Sequence, residues 1–99
     1  MRDGTRKIQR MDAFEFRIGQ RVKVRRDPDY GPGPWPAEPT GVVERHPNAV
    51  TGAVSVRMET LLGPTRMYWI AFDVPQRDTD GDGPYAVSEV QGKYIEAED

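Results

Sequence analysis

The sequence predicts a small, all-β barrel, and three observations support this prediction. A chain of 99 residues is long enough for one domain with one compact core. Its ten glycines and nine prolines divide it into short segments, and short segments between turns are typical of strands. Several segments alternate apolar and polar residues with a period of two, which favours half-buried strands. A helical bundle would tolerate far fewer interior prolines, because each removes a backbone donor.

Composition excludes several classes of function. The chain has no cysteine, which excludes disulfides, thiolate zinc sites, iron–sulfur clusters and a cysteine nucleophile. It has no long apolar segment, so we expect neither secretion nor membrane insertion and predict a cytoplasmic protein. A formal net charge of -2 and a pI of about 5.4 do not give the positive field expected of a nucleic-acid binder.

We expect three regions along the chain. Residues 1–13 are polar and basic without a periodic apolar face, which predicts a disordered arm, and Met11 is a second candidate for the first residue. Residues 14–97 form the predicted barrel domain. Residues 98–99 form an acidic tail.

The first predicted strand follows a glycine turn. Val22 and Val24 share one face of this strand, and the basic residues Arg21, Lys23 and Arg25 share the other. This alternation is the pattern of a strand with one buried and one solvated face.

A long irregular loop follows the first strand. Residues 27–41 carry five prolines, and proline cannot donate to a sheet ladder. A loop of this length within a compact domain is usually functional or disordered. The later predicted strands are residues 41–46, 53–60, 65–74 and 93–97, with a tight helical turn at residues 86–91 before the last of them.

The strand at residues 65–74 is the richest in aromatic and branched side chains. We expect one face to point into the core, with Tyr68, Ile70, Phe72 and Val74. The opposite face carries Met67, Trp69, Ala71 and Asp73.

Two parts of the chain resemble a known family. FRIGQRVKVRRD, with a proline- and glycine-rich loop leading into PTGVVE, is similar to the opening of the SH3-like domain of nitrile hydratase β subunits. YWIAFD and SEVQGKYIEA resemble the closing half of that domain. A small accessory protein of photosystem I and the variable chain of ferredoxin–thioredoxin reductase share this barrel type. The resemblance covers residues 14–96 and implies an SH3-like barrel of about five strands with one short helical turn before the last.

The resemblance implies an accessory or adaptor role rather than nitrile hydration. The corresponding loop of the hydratase family carries a histidine and arginines that help to build the interface with the metal-bearing subunit. This chain has neither between residues 30 and 41, and carries Pro34, Trp35, Pro36, Glu38 and Pro39 instead. The metal of that family is bound by cysteines of the other subunit.

Aromatic residues in or near the two long loops are candidates for binding a partner protein. If the loops adjoin, they form an aromatic surface edged by prolines and carboxylates, of the kind that anchors interfaces. The alternative is that Trp35 and Tyr85 fold back to plug the ends of the barrel. The candidate partner-binding residues are Tyr30, Trp35, Pro36, Glu38, Trp69 and Tyr85.

The segment DTDGDGPYAVSE, residues 78–89, matches a calcium-loop pattern. The pattern assigns ligand positions to Asp78, Asp80, Asp82 and Glu89. A strand precedes this loop, whereas the pattern belongs between two helices. The alternative is a solvated turn in which aspartate and glycine accept left-handed backbone angles.

The basic face of the first strand and the single histidine each allow a further interpretation. The basic face, extended by Arg26, could meet phosphates, although a barrel strand also keeps a charged face in water. His46 is the only histidine and has no evident partner beside Pro47, so we expect no enzyme activity of the chain itself. The leading hypothesis is therefore a cytoplasmic protein-interaction module, with calcium binding and weak nucleic-acid binding as alternatives.

Overall fold

A computed structural model describes residues 16–26 and 35–98. The predicted arm at residues 1–13, Tyr30 and most of the first long loop lie outside the described residues. Within the described part the protein is all-β, with one antiparallel sheet and a single 3-10 turn, as predicted. No helix in this part is long and apolar enough to cross a membrane.

Six strands are found where about five were predicted. The elements in chain order are β1 (Arg21–Val24), β2 (Thr40–Glu44), β3 (Val56–Thr60), β4 (Gly63–Gln76), β5 (Tyr85–Gln91), the 3-10 turn η1 (Gly92–Tyr94) and β6 (Ile95–Ala97). The helical turn predicted before the last strand is present, but it lies at Gly92–Tyr94 and not at residues 86–91, which belong to β5. Hydrogen bonds to β4 stabilise the extended conformation of β5, which local sequence preference does not reveal.

β4 is the central strand of the sheet. Trp69 lies between Glu44 of β2 and Glu89 of β5, so these two strands occupy opposite edges of β4. β3 pairs with the first part of β4, and β1 joins β2 to β6. Because only η1 separates β5 from β6, the chain itself connects β5, at the other edge of β4, to β6 at the end of the order β4-β2-β1-β6.

The main core lies on the predicted inner face of β4. Tyr68, Ile70 and Phe72 are buried as expected, and the ring of Phe16 contacts that of Tyr68 edge-on. Val74 differs from its prediction and is 65% exposed, because the β4–β5 register is irregular between residues 71 and 76 and the strand end passes beyond the core. The buried core cluster comprises Phe16, Val22, Val24, Trp35, Val43, Tyr68, Ile70, Phe72, Val90 and Ile95.

Close approach of β2 to β4 requires glycine at position 41. A Cβ atom there would lie 2.4 Å from the carbonyl oxygen of Ala71 and 3.1 Å from a side-chain carbon of Ile70. Neither the backbone carbonyl nor the fully buried isoleucine has room to move aside.

We therefore expect Gly41→Ala to lower the free energy of unfolding by about 2–4 kcal/mol, through overpacking between β2 and β4. Urea unfolding followed by circular dichroism measures this loss. Glu44→Ala, at the exposed end of the same strand, is the control and should change stability by less than about 0.5 kcal/mol. Equal stability of the two variants would contradict the close approach.

Candidate functional site

The ends of the two long loops meet beside Phe72. The Trp35 ring lies edge-on to Phe72, at 4.9 Å between centroids, and edge-on to Tyr85, at 5.9 Å. Trp35 is 6% exposed and belongs to the core, whereas Tyr85 is 41% exposed. Trp35 thus folds back into the core, as the alternative interpretation expected of it, whereas Tyr85 stays at the surface against it.

Glu38 fixes the end of the first long loop. It has a φ of 52°, a left-handed conformation uncommon for a residue with a Cβ. Its carboxylate accepts a hydrogen bond from the backbone N–H of Arg26 at 2.9 Å and one from the Arg25 Nε at 3.1 Å. These bonds lower the pKa of Glu38 below its ordinary value. Pro36, two residues earlier, is exposed.

Trp69 does not join Trp35 and Tyr85. It lies on the opposite face of β4, where its ring is 5.4 Å from the ring of His46. Its cross-strand neighbour is Glu89 of β5. The predicted partner-binding residues within the described part of the chain are therefore not one surface. Trp35 contacts Tyr85 through its ring and accepts the backbone N–H of Glu38 through its carbonyl at 3.1 Å, whereas Trp69 lies apart from them.

His46 has partners that the sequence analysis missed. It is 3% exposed, and its Nε2 lies 2.6 Å from a carboxylate oxygen of Glu89. Its Nδ1 accepts the backbone N–H of Asn48 at 3.1 Å, so Nε2 carries the proton and donates to Glu89. Both ring nitrogens are used within the protein. A strand assignment for residues 85–91 would have placed Glu89 beside Trp69 and pointed to this pair.

The acidic loop between β4 and β5 brings three of the four predicted calcium ligands together. One carboxylate oxygen from each of Asp78, Asp80 and Asp82 lies within 4.8 Å of the other two. Asp78 already accepts the backbone N–H groups of Asp80, at 3.0 Å, and Asp82, at 2.9 Å. This is the turn geometry in which an aspartate satisfies its own loop.

The fourth predicted ligand lies elsewhere. Glu89 is five residues beyond Pro84 along an extended strand, on the order of 16 Å, and its carboxylate contacts His46. Arg77 also donates to the loop carbonyls of Gly81, at 3.2 Å, and Gly83, at 2.9 Å. A guanidinium on these oxygens competes with a cation, so the loop lacks the assembled ligand set of a calcium-loop motif.

The basic face of β1 is largely paired with carboxylates. Arg21 makes a two-pronged contact with Asp73, at 2.8 and 2.6 Å, and also reaches Glu98 at 3.1 Å. The Thr40 hydroxyl donates to Asp73 at 2.6 Å. Partners of this kind raise the pKa of Arg21 and lower that of Asp73.

The second arginine of that face is paired in the same way. Arg25 contacts both Glu38 and Glu96 at 3.1 Å, and the two carboxylates raise its pKa. Phosphate groups would compete with these carboxylates for the guanidinium groups. The nucleic-acid interpretation therefore stays a prediction that the charge arrangement disfavours.

No protein-family model matches this chain, and neither the curated proteins nor the solved structures give a match. The nitrile hydratase β-type resemblance accordingly stays a prediction based on the quoted segments. Any function has to be inferred from the geometry of the site.

The ion pair between Arg21 and Asp73 predicts that the folded protein loses stability in acid. The Arg21 and Thr40 hydrogen bonds lower the pKa of Asp73 from 3.8 to about 2, so the unfolded chain binds this proton more readily than the folded one. The stabilisation is present above about pH 4 and is lost as the pH falls towards 2. An NMR titration of the Asp73 carboxyl carbon should show a midpoint near pH 2, and Arg21→Gln should move it towards 3.8. Glu98→Gln keeps the Asp73 pair and should leave the midpoint low.

For the acidic loop we expect no calcium binding tighter than the millimolar range, because three carboxylates are too few for a cation that takes six to eight oxygens. Calcium titration followed by the NMR shifts of the Gly81 and Gly83 amides measures this affinity. Asp80→Asn provides the control, since it removes one carboxylate while leaving the Asp78 turn acceptor in place. Saturation at micromolar calcium that Asp80→Asn abolishes would restore the calcium hypothesis.

Proposed function

We propose that this protein is a cytoplasmic, non-catalytic accessory or adaptor domain that binds a partner protein at the Tyr85 end of its sheet. The observation that carries the proposal is a half-exposed tyrosine held edge-on by a buried tryptophan. Tyrosine is enriched among the residues that dominate interface energies. A ring held in place by packing loses little conformational entropy on binding.

Exposed apolar groups extend the surface around this ring. Pro36 directly follows Trp35, and Val74 precedes the Gln76–Tyr85 pairing by two residues. Both are exposed, as is the ring of Tyr85 itself. We call Pro36, Val74 and Tyr85 the Tyr85 patch. A rigid aromatic ring with small apolar neighbours fits an apolar pocket on a partner.

Negative charge beside the Tyr85 patch indicates which residues border the partner's binding pocket. The acidic loop ends immediately before Tyr85, and its three clustered aspartates face solvent or are half-buried. Negative charge at the edge of an apolar patch favours partners whose pocket is bordered by lysine or arginine. The acidic loop thus acts in recognition through its field rather than through a bound cation.

The hydrogen bonds of the His46 ring support a non-catalytic role. The only imidazole of the chain is buried and bonded at both nitrogens to groups of the protein itself. A general base needs a free nitrogen within reach of a substrate proton. The His46–Glu89 pair instead joins the segment after β2 to β5.

Site-specific photo-crosslinking in the native cell tests the proposal. A photoreactive amino acid at position 85 should capture a discrete partner, whereas the same group at position 50, which carries an exposed valine away from the patch in sequence, should not. Equal products from both positions would contradict a specific Tyr85 interface.

With the captured partner purified, calorimetry measures the contribution of the ring. We expect Tyr85→Ala to weaken binding by about tenfold or more, as for an interface hot spot. Val50→Ser is the matched control and should leave the affinity within about twofold. An unchanged affinity for Tyr85→Ala, with the fold intact by circular dichroism, would overturn the proposal.

A further inference from the structure

The β3–β4 hairpin presents an unpaired strand edge. Among the described strands, β3 is the end strand of the sheet order and pairs with β4 alone. No other described residue pairs with its outer edge. Four of its five residues are exposed, including Met58, and the two-residue tip carries Leu61 fully exposed and Leu62 84% exposed. A free edge with apolar side chains is a template for pairing with another strand.

The hairpin geometry shows which backbone groups face outward. Thr60 and Gly63 close a two-residue loop, and such closing residues exchange hydrogen bonds with each other. In an antiparallel hairpin, residue pairs that exchange hydrogen bonds alternate with pairs that do not. The next pair, Glu59 and Pro64, is therefore one without hydrogen bonds, and this agrees with the absence of an N–H group in proline. The N–H and C=O groups of Arg57 and Glu59 therefore point away from β4.

The outward-facing residues are complementary to themselves. Arg57 and Glu59 flank Met58 and already contact each other at 2.6 Å. When two copies of β3 run antiparallel about a two-fold axis at Met58, Arg57 of each copy lies opposite Glu59 of the other. In that register the outward N–H and C=O groups of the two strands form hydrogen-bonded pairs. It also places an arginine opposite a glutamate at two positions.

We propose that the occupant of this edge is a second copy of the chain, which forms a two-fold dimer by antiparallel β3–β3 pairing centred on Met58. A two-fold interface uses one patch twice, and a self-complementary strand satisfies this condition. In this register the hairpin tip, with the exposed Leu61 and Leu62, comes next to the start of β3 in the second copy. Pairing of main-chain edges provides the affinity, and the charges fix the register.

The dimer edge and the Tyr85 patch are independent surfaces. β3 pairs with residues 63–67 of β4, whereas Tyr85 pairs with Gln76 at the other end of that strand. Formation of the dimer therefore leaves the Tyr85 patch accessible, and the inference does not depend on the proposed function.

Exchange of the two charges tests the register. Arg57→Glu places carboxylates at both positions 57 and 59, and Glu59→Arg places guanidinium groups at both, so each variant alone opposes like charges twice. We expect each to raise the dimer dissociation constant by about tenfold or more. An equimolar mixture of the two opposes unlike charges again and should form a heterodimer about as stable as the wild-type dimer. Sedimentation equilibrium over a range of concentrations measures all four samples.

Hydrogen exchange separates this dimer from association through other surfaces. The outward amides of Arg57 and Glu59 should exchange rapidly at low concentration and become protected as the dimer forms. A wild-type protein that stays monomeric at millimolar concentration would overturn the inference. A dimer in which these two amides stay unprotected would also overturn it, and so would a dimer whose dissociation constant is unchanged by both charge reversals. Circular dichroism of each variant verifies that the hairpin still folds.

Discussion

Pairing of β4 along both of its edges is the constraint on which the rest of the structure depends. Its 14 residues carry β2 and β3 on one side and β5 on the other. A slip of one residue would exchange its two faces, so the buried residues Tyr68 and Ile70 fix the register of all three neighbours. The position of Glu89 beside Trp69 follows from this register, whereas Tyr85 pairs with Gln76 beyond an irregularity in it.

The core is too small to cover the whole of this strand. Only 36% of the residues are hydrophobic, and the buried cluster surrounds the middle of β4. Both ends pass beyond the core, which leaves Val74 and Tyr85 exposed at one end and the leucine tip of the hairpin exposed at the other. Exposed apolar residues of this kind mark interaction surfaces in soluble proteins when they are grouped. The two proposed interfaces thus have one origin, a strand longer than the core beneath it.

Local patterns predicted the parts of the fold that depend on local alternation. Val22 and Val24 are buried, and Arg21 is exposed, as a period of two requires. β5 was missed because its pairing with β4 is a long-range interaction and its start lies next to glycine, aspartate and proline. The burial of Trp35 and the His46–Glu89 bond, which spans 43 positions, also depend on residues distant in sequence. Of the predicted calcium ligands, the three aspartates lie together but Glu89 does not, because the spacing assumes a loop conformation and Glu89 belongs to the extended β5.

Charge pairing supports placing the proposed interaction surfaces at the ends of β4 and not on the basic face of β1. Arg21 joins β1 to Asp73 of β4 and to Glu98 after β6, and Arg25 joins it to Glu38 and Glu96. Exposed ion pairs contribute little stability one by one, but those with two-pronged geometry or shared partners contribute more. They hold short strands in register, and guanidinium groups engaged in this way are less available to an outside anion. With its strongest charges committed to the fold, the described part of the protein offers a partner mainly its unpaired edge and its exposed apolar groups.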